Sequence, residues 1–527
     1  MRKKGLPAAI SPDNSRTGVY LYSVLVGIAS GLIIVGYRSL IAFFEQLRLD
    51  MLPSLASSLH NGTGIGVLLL WLLIASAAGL IVAMMVRRSP YIRGSGIPQV
   101  KAVLMRRITA DWKLELPFKF PGGSLALGAG LSLGREGPSI QLGSLAGIAI
   151  SEVSRQFEYR RYLVTAGAAA GISAAFNAPL AGVLFCIEEL HRNISPVMLT
   201  SSLIASFCAN AIMWATYGGA PVFGISLAQV LPLNQYFTTV LAIGIGSAVV
   251  GSLFNRGILG FQKAYRTIVP NNTLRIVSAF AVAAMVSLIL PAITGGGDHL
   301  IEALVHDGYG LRLVSLLLVG KILFTLFSYA SGTPGGIFLP MLAIGALIGT
   351  VSQGIFMKFG IGSEYLNNYI LVGMVGFFTA VVRAPITGAV LITEMAGSFA
   401  HFPAFILVSV VASLVSEMFH TKPIYDSLLT QISASHPRET LSRPIVLYIP
   451  VQEGSILETC CNVQAHLPDG CILAGVEHGE KELFPDKDMD IQPGDVLRII
   501  VESGKAPQLK ERLLLLGEAS KTAKGHE

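Results

Sequence analysis

The chain has 527 residues and a mass of 55.9 kDa; it is 52% hydrophobic, only 13% charged, and has a mean hydropathy of +0.63. Water-soluble globular chains carry roughly 25% charged residues, so this composition excludes one and describes a membrane protein. The net charge of +6 is unevenly placed: residues 441–527 hold 14 acidic and 9 basic side chains, which leaves 18 acidic and 29 basic in the first 440. The bases flank apolar runs, as the positive-inside rule expects of cytoplasmic loops, so the charge is no nucleic-acid footprint.

In chain order, residues 1–18 read as a cytoplasmic N-terminal segment that opens Met1-Arg2-Lys3-Lys4. The first apolar stretch begins near Val19 and is too long for the apolar part of a signal peptide, so it reads as a retained membrane segment. A spanning helix needs about 20 predominantly apolar residues, and runs of that kind fall at 19–43, 65–86, 199–217, 237–254, 274–293 and 311–330. Other segments are cut by Gly and Pro into shorter pieces: 117–134, 138–151, 162–176, 179–190, 335–358, 367–382, 385–397 and 402–418. Interrupted helices are how transporters bring helix ends to membrane depth. Beyond residue 440 the pattern becomes short β-like runs at 445–451, 471–476 and 496–501, separated by Pro-Asp-Gly and Gln-Pro-Gly-Asp turns, with a helix at 506–516. That is a small soluble α/β module over about 441–517, followed by a polar tail at 518–527. The five cysteines, Cys186, Cys208, Cys460, Cys461 and Cys471, have no metal-ligand spacing and read as buried thiols rather than a disulfide framework.

The apolar body contains a duplication. At an offset of 202, Lys119 meets Lys321, Gly134 meets Gly336, Pro138 meets Pro340, Gly143 meets Gly345 and Gly147 meets Gly349. At 206, Ala174 meets Ala380, Ala178-Pro179 meets Ala384-Pro385, Gly182 meets Gly388 and Glu188 meets Glu394. The halves run over approximately 19–220 and 235–430; sequence leaves open whether they are parallel or inverted.

Three Gly/Pro stretches carry the chemistry: Gly94-Ser95-Gly96-Ile97-Pro98, Gly134-Arg135-Glu136-Gly137-Pro138 and Gly335-Gly336-Ile337-Phe338-Leu339-Pro340. Glycine permits unusual backbone angles and close approach, and proline suits a first helical turn, so each reads as a helix N-terminus with N–H groups to satisfy. In lipid such donors need a partner, and a helix N-terminus, with about half a positive charge, favours an anion. Packing kinks in a Gly-rich bundle explain any one stretch alone, but not three together.

These three stretches, followed by Lys422-Pro423-Ile424-Tyr425, resemble in order the four signature elements of the CLC chloride channel and transporter family, over about residues 20–430. The resemblance implies an all-α polytopic membrane fold, a CLC-type inverted-repeat bundle with broken helices. It also implies a homodimer with one anion pathway per subunit. It makes Glu136 the external gate and proton acceptor; a carboxylate between glycines at a helix start can swing into an anion site and exclude its occupant until protonated. An ion pair with Arg135 is the plainer alternative for Glu136. Glu188 and Glu189 lie in an apolar segment, where an ionised side chain costs about 2.5–3.5 kcal/mol on insertion scales. Neighbours on a helix point about 100° apart. Glu188 has the repeat mate Glu394 and suits a structural role, whereas Met395 stands opposite Glu189. By resemblance Glu189 is the internal proton-transfer glutamate of the family's antiporters; a second structural ion pair is the alternative. The resemblance further implies that Ser95 and Tyr425 contact the anion with their hydroxyls, that the backbone N–H groups of Ile337 and Phe338 complete a central site, and that those near Arg135 and Gly137 form an outer one. Serine at position 95 resembles the chloride-preferring members. Lys119 and Lys321 admit either a structural role or a contribution of positive potential.

The turns Glu453-Gly454-Ser455, Leu467-Pro468-Asp469-Gly470 and Pro493-Gly494-Asp495 resemble the TrkA-C regulatory domain, implying a cytoplasmic C-terminal module whose small-molecule ligand, if any, is unknown. The expected function is proton-coupled chloride antiport in a bacterial inner membrane, with chloride, protons and lipid as partners and no cofactor, metal or nucleic acid. A passive chloride channel of the same fold is the alternative, and a cation transporter, suggested only by the tail, a second. No nucleophile, base or metal cluster supports an enzyme.

Overall fold

The computed structural model describes residues 12–60, 64–191, 195–220, 222, 233–306, 309–360, 365–435, 444–455, 457, 466–478, 481–485, 491–502 and 506–517. Cys460, Cys461, most of the N-terminal segment and the tail at 518–527 lie outside the described residues. The chain divides into two compact units, residues 1–435 and 436–527.

The larger unit is helical. Its first half runs α1 (Pro12–His60), α2 (Gly64–Arg88), α3 (Ile97–Leu104), α4 (Trp112–Gly128), α5 (Glu136–Val153), α6 (Arg160–Phe176), α7 (Pro179–Phe185) and α8 (Pro196–Tyr217). The second half runs α9 (Leu233–Ile268), α10 (Asn272–Ile289), α11 (Asp298–His306), α12 (Leu311–Ala330), α13 (Phe338–Phe356), α14 (Leu366–Val382), α15 (Pro385–Ala396) and α16 (Phe402–Met418), and α17 (Ile424–Ser435) follows. Among the described residues seven helices are long and apolar enough to cross a membrane: α1, α2, α8, α9, α10, α12 and α13. Six match the expected long runs. The seventh, α13, corrects the expectation of an interrupted piece over 335–358. Gly335 and Gly336 lie before the helix, Gly345, Gly349 and Gly354 are accommodated within it, and Pro340 falls in the first turn, where a missing N–H breaks no bond. Likewise α4 begins at Trp112 and passes through Pro117 and Pro121. The short α3, α11 and α17 had no counterpart among the expected runs, because none is long enough to give an apolar signal.

The duplication extends through the fold. The end of α6 is capped by Asn177 (φ +55°) and the end of α14 by its mate Arg383 (φ +65°), both left-handed, each followed by Ala-Pro opening the next helix. α5 packs on α6 and α13 on α14 along glycine faces. A Cβ at Gly147 would overlap the Leu163 carbonyl, and one at its mate Gly349 the Tyr369 carbonyl, so only glycine lets these backbones meet. The mates Gly134 and Gly336 pair with each other in an antiparallel bridge, with N–H···O distances of 2.7 and 2.8 Å. Reciprocal pairing of equivalent residues is what a two-fold axis produces, so the bridge marks the axis of an inverted-repeat, CLC-type bundle.

The smaller unit holds a four-stranded antiparallel sheet in the order β1-β4-β2-β3: β1 (Pro444–Pro450), β2 (Cys471–His478), β3 (Lys481–Leu483) and β4 (Val496–Glu502). α18 (Ala506–Gly517) closes a core that includes Ile449, Val476, Leu497, Ile499 and Leu513. The three expected runs and the helix are present to within two residues; the three-residue β3 was too short to read. Cys186, Cys208 and Cys471 are free thiols, the first and last of them buried.

Candidate anion site at converging helix N-termini

All three Gly/Pro stretches open helices. α3 is capped by Gly96 (φ +98°), α5 by Arg135 and α13 by Ile337. The first bonds inside these helices run from Val100 N to Gly96 O, Ser139 N to Arg135 O and Met341 N to Ile337 O, each 2.9 Å. The earlier N–H groups therefore have no partner in their own helix. In α5 and α13 the third helical residue is proline, Pro138 and Pro340, which leaves Glu136 and Gly137 as donors in one helix and Phe338 and Leu339 in the other.

These ends meet. Gly94 N donates to Thr333 O at 3.1 Å and Gly335 N to Gly94 O at 3.0 Å, which stitches the loop before α3 to the loop before α13. A Cβ on Gly137 would collide with the Ser95 side chain and backbone, and one on Gly336 would lie 3.2 Å from Gly137 N. Absence of side chains at these positions is what lets three positive helix ends approach.

The Glu136 carboxylate is fully buried at this junction. Its Oε2 accepts from Leu339 N at 3.3 Å, so the first residue of α5 covers the N-terminus of α13. Arg135 Nε lies 3.8 Å from Glu136 Oε1, so the ion-pair alternative is present as a long, off-centre contact beside the bond to α13. Two other helix starts in the molecule show what such an end accepts. At α15, Glu188 takes the N–H groups of Ile386 (3.2 Å) and Thr387 (2.8 Å) and the Thr387 hydroxyl (2.7 Å). At α7, its mate Glu394 takes those of Leu180 (3.1 Å) and Ala181 (2.7 Å). Each half caps a helix of the other with a fixed carboxylate, which gives Glu188 and Glu394 the structural role expected. α13 is covered in the same manner, but by a side chain rooted between Gly134 and Gly137.

Ser95 and Tyr425 are both buried, and neither hydroxyl oxygen has a hydrogen-bond partner among the described residues. Tyr425 is the second residue of α17, which packs on α3. Its ring meets Phe185 edge-on at 6.4 Å; Phe185 in turn lies 6.0 Å from Phe338, which is flanked by Phe176 at 4.9 Å and Phe378 at 4.8 Å. Aromatic walls thus link Tyr425 to the first residue of α13. Ile337 is the N-cap residue of α13, so Phe338 and Leu339 supply its first-turn donors, and Leu339 is the one sequence reasoning missed.

Glu189 lies elsewhere. α7 ends at Phe185 and the chain continues as a π-helical turn, Cys186–His191, rather than the uninterrupted helix expected over 179–190. The wider turn sends the two adjacent glutamates apart as expected: Glu188 to α15, Glu189 to α3. There Lys101 Nζ, buried, donates to Glu189 Oε1 at 2.8 Å and to Asp426 Oδ1 at 2.6 Å. The ion pair held open as the alternative for Glu189 is therefore present. Lys101 and Asp426 were missed; the available signal was a lone lysine in the otherwise uncharged run Ile97-Pro98-Gln99-Val100-Lys101-Ala102-Val103-Leu104 and an acid directly after Tyr425.

Comparison with known proteins bears on this body. The family model described as voltage gated chloride channel matches residues 78–417. The chain belongs to that chloride-channel family. An H(+)/Cl(-) exchange transporter ClcA of Vibrio vulnificus (strain YJ016) is 33% identical over 81% of this chain and 92% of the relative. That of Vibrio cholerae serotype O1 (strain M66-2) is 34% identical with the same coverage. A solved structure of a slow cyanobacterial Cl-/H+ antiporter, 29% identical, superposes with a TM-score of 0.74 over 82% of this chain and the whole of that one. Residues 461–514 match the TrkA-C domain, which is the C-terminal module the turns suggested.

Within this chloride-channel body the two repeat-paired lysines make structural contacts. Lys119 Nζ donates to Ile92 O and Gly94 O, both at 2.8 Å. Its mate Lys321 donates to Ile293 O (3.0 Å) and Gly295 O (2.8 Å). Each ammonium gathers the carbonyls of the loop before a short helix, α3 in one half and α11 in the other. Both are fully buried.

Proposed function

We propose that this chain is a proton-coupled chloride antiporter in which chloride and the Glu136 carboxylate compete for the N-terminus of α13. The observation that carries this reading is the bond from Leu339 N to Glu136 Oε2: a titratable anion occupies a helix end that a mobile anion also suits. When ionised, Glu136 excludes chloride by charge and by volume; once protonated, it no longer competes, and the anion takes the donors of Phe338 and Leu339. The unpartnered hydroxyls of Ser95 and Tyr425 supply two further neutral donors, which bind a halide without a fixed charge that would hold it. The N–H groups at Ile337 and Phe338 line the central position, and those at Arg135 and Gly137 the outer one. Glu189 is the internal proton-transfer group.

The assembly we infer is a homodimer in a bacterial inner membrane, its transport domain over residues 19–435, with the module at 441–517 on the cytoplasmic side. The basic residues Arg87, Arg88, Arg106, Arg107, Arg160 and Arg161 around the connections of the first half support that orientation. The module is the place for an unidentified small-molecule ligand.

Proteoliposomes with an imposed chloride gradient test the reading. Antiport drives protons uphill, and Glu189→Val retains chloride flux while proton movement is lost. Chloride flux with no uphill proton movement in the unaltered protein would make it a passive channel, and potassium-selective flux would make it a cation transporter.

A further inference from the structure

Lys101 stands between two carboxylates of different access. Glu189 is buried, its side chain 2% exposed, whereas the Asp426 side chain is 26% exposed. The lysine itself is 5% exposed and touches one oxygen of each, at 2.8 and 2.6 Å, from its place in the last turn of α3. The three groups come from three separate elements, α3, the π-helical turn after α7, and α17, so the cluster is assembled by tertiary structure and not by a local turn. A single structural ion pair would need only one acid; the second, in contact with solvent, gives the ammonium two proton-transfer partners in line.

We propose that Asp426, Lys101 and Glu189 form a proton relay from the cytoplasmic solution to the transport pathway, with Lys101 passing the proton by exchange. A proton from water binds Asp426. An N–H bond of Lys101 breaks as an O–H bond forms on Glu189, and the neutral amine then takes the proton from Asp426, so the ammonium is restored. One proton has moved from Asp426 to Glu189, and no charge is left on the lysine beyond the one it had. Tyr425 precedes Asp426 on α17, and the nearest titratable group on the turn that carries Glu189 is His191, which is held by the Thr165 hydroxyl at 2.7 Å and faces Arg161 at 3.4 Å. The relay rests on the internal role given to Glu189 above.

Arginine distinguishes a relay from a clamp, because it keeps the charge and the hydrogen bonds but does not give up a proton in a protein. In proteoliposomes, Lys101→Arg is expected to keep chloride flux within about threefold of the unaltered protein and to lose at least tenfold in chloride-driven proton movement. Asp426→Asn, at the exposed end, is expected to lower proton movement in the same direction with chloride flux retained. Proton movement in Lys101→Arg equal to that of the unaltered protein would overturn the relay and leave Lys101 a structural clamp. Should Lys101→Arg lose chloride flux as well, the decision passes to Asp426→Asn, where unchanged proton movement overturns the relay. Glu189→Gln separates the two claims: if it retains proton movement, the role of Glu189 itself is wrong, whereas loss in Glu189→Gln with none in Lys101→Arg refutes the relay alone.

Discussion

Removing the Glu136 carboxylate should tighten anion binding, and the size of the effect follows from what the carboxylate does now. In the structure it takes one N–H of the α13 terminus, Leu339 N, at 3.3 Å, so an anion arriving there must displace it. A hydrogen bond to a charged group contributes about 1.5–3 kcal/mol; at 3.3 Å the lower end applies, and the long contact with Arg135 at 3.8 Å adds little. Glu136→Ala thus removes a competitor of about 1.5–2 kcal/mol, which corresponds to roughly a ten- to thirtyfold rise in chloride affinity at a rate of tenfold per 1.4 kcal/mol. Isothermal titration of chloride into the detergent-purified protein measures it directly, with Glu136→Gln as a variant that keeps the volume but not the charge. If Glu136→Ala binds chloride within twofold of the unaltered protein, the carboxylate and the anion do not share the helix end, and competition as the basis of coupling falls.

The reciprocal caps make a second, purely structural expectation. Glu394→Gln leaves one acceptor for the two donors Leu180 N and Ala181 N and turns its amide hydrogens toward the other, at a cost of about 2–3 kcal/mol in stability; Glu188→Gln should cost as much, and equal melting temperatures of variant and unaltered protein would deny both caps. The glycine faces make a third. Gly349→Val forces α13 away from the Tyr369 carbonyl and should cost about 1–3 kcal/mol or more in folded yield, whereas Gly246→Val, which meets nothing within 4 Å, should be tolerated. Monodispersity in size-exclusion chromatography separates them.

Much of this architecture was legible in the sequence because a bilayer enforces simple rules. Long spans must be apolar, so six were visible as runs, and the two offsets, 202 and 206, announced a duplication that the paired caps and paired glycines then explain. The Gly/Pro stretches revealed three helix starts for the same reason: in lipid, few other residue types let a backbone begin a helix beside another. Less legible was whatever depends on which elements become neighbours. Lys101 carries no motif, and only the packing of α17 on α3 gives it Asp426 as well as Glu189. The donor at Leu339 was displaced by one residue from the expected pair because the helical register of α13, with proline third, is fixed by local geometry rather than by the glycine count. The π-helical turn after Phe185 has no sequence mark either.

The bridge between Gly134 and Gly336 has an implication for vectorial transport. A scaffold whose halves are superimposable by rotation offers an ion the same landscape from either face and has no built-in sense of inside and outside. In register with that bridge, at an offset of 202, Glu136 corresponds to Phe338, and at the later offset of 206 Glu189 corresponds to Met395. On the proposed roles, two of the acids that would give the protein its polarity stand opposite apolar counterparts.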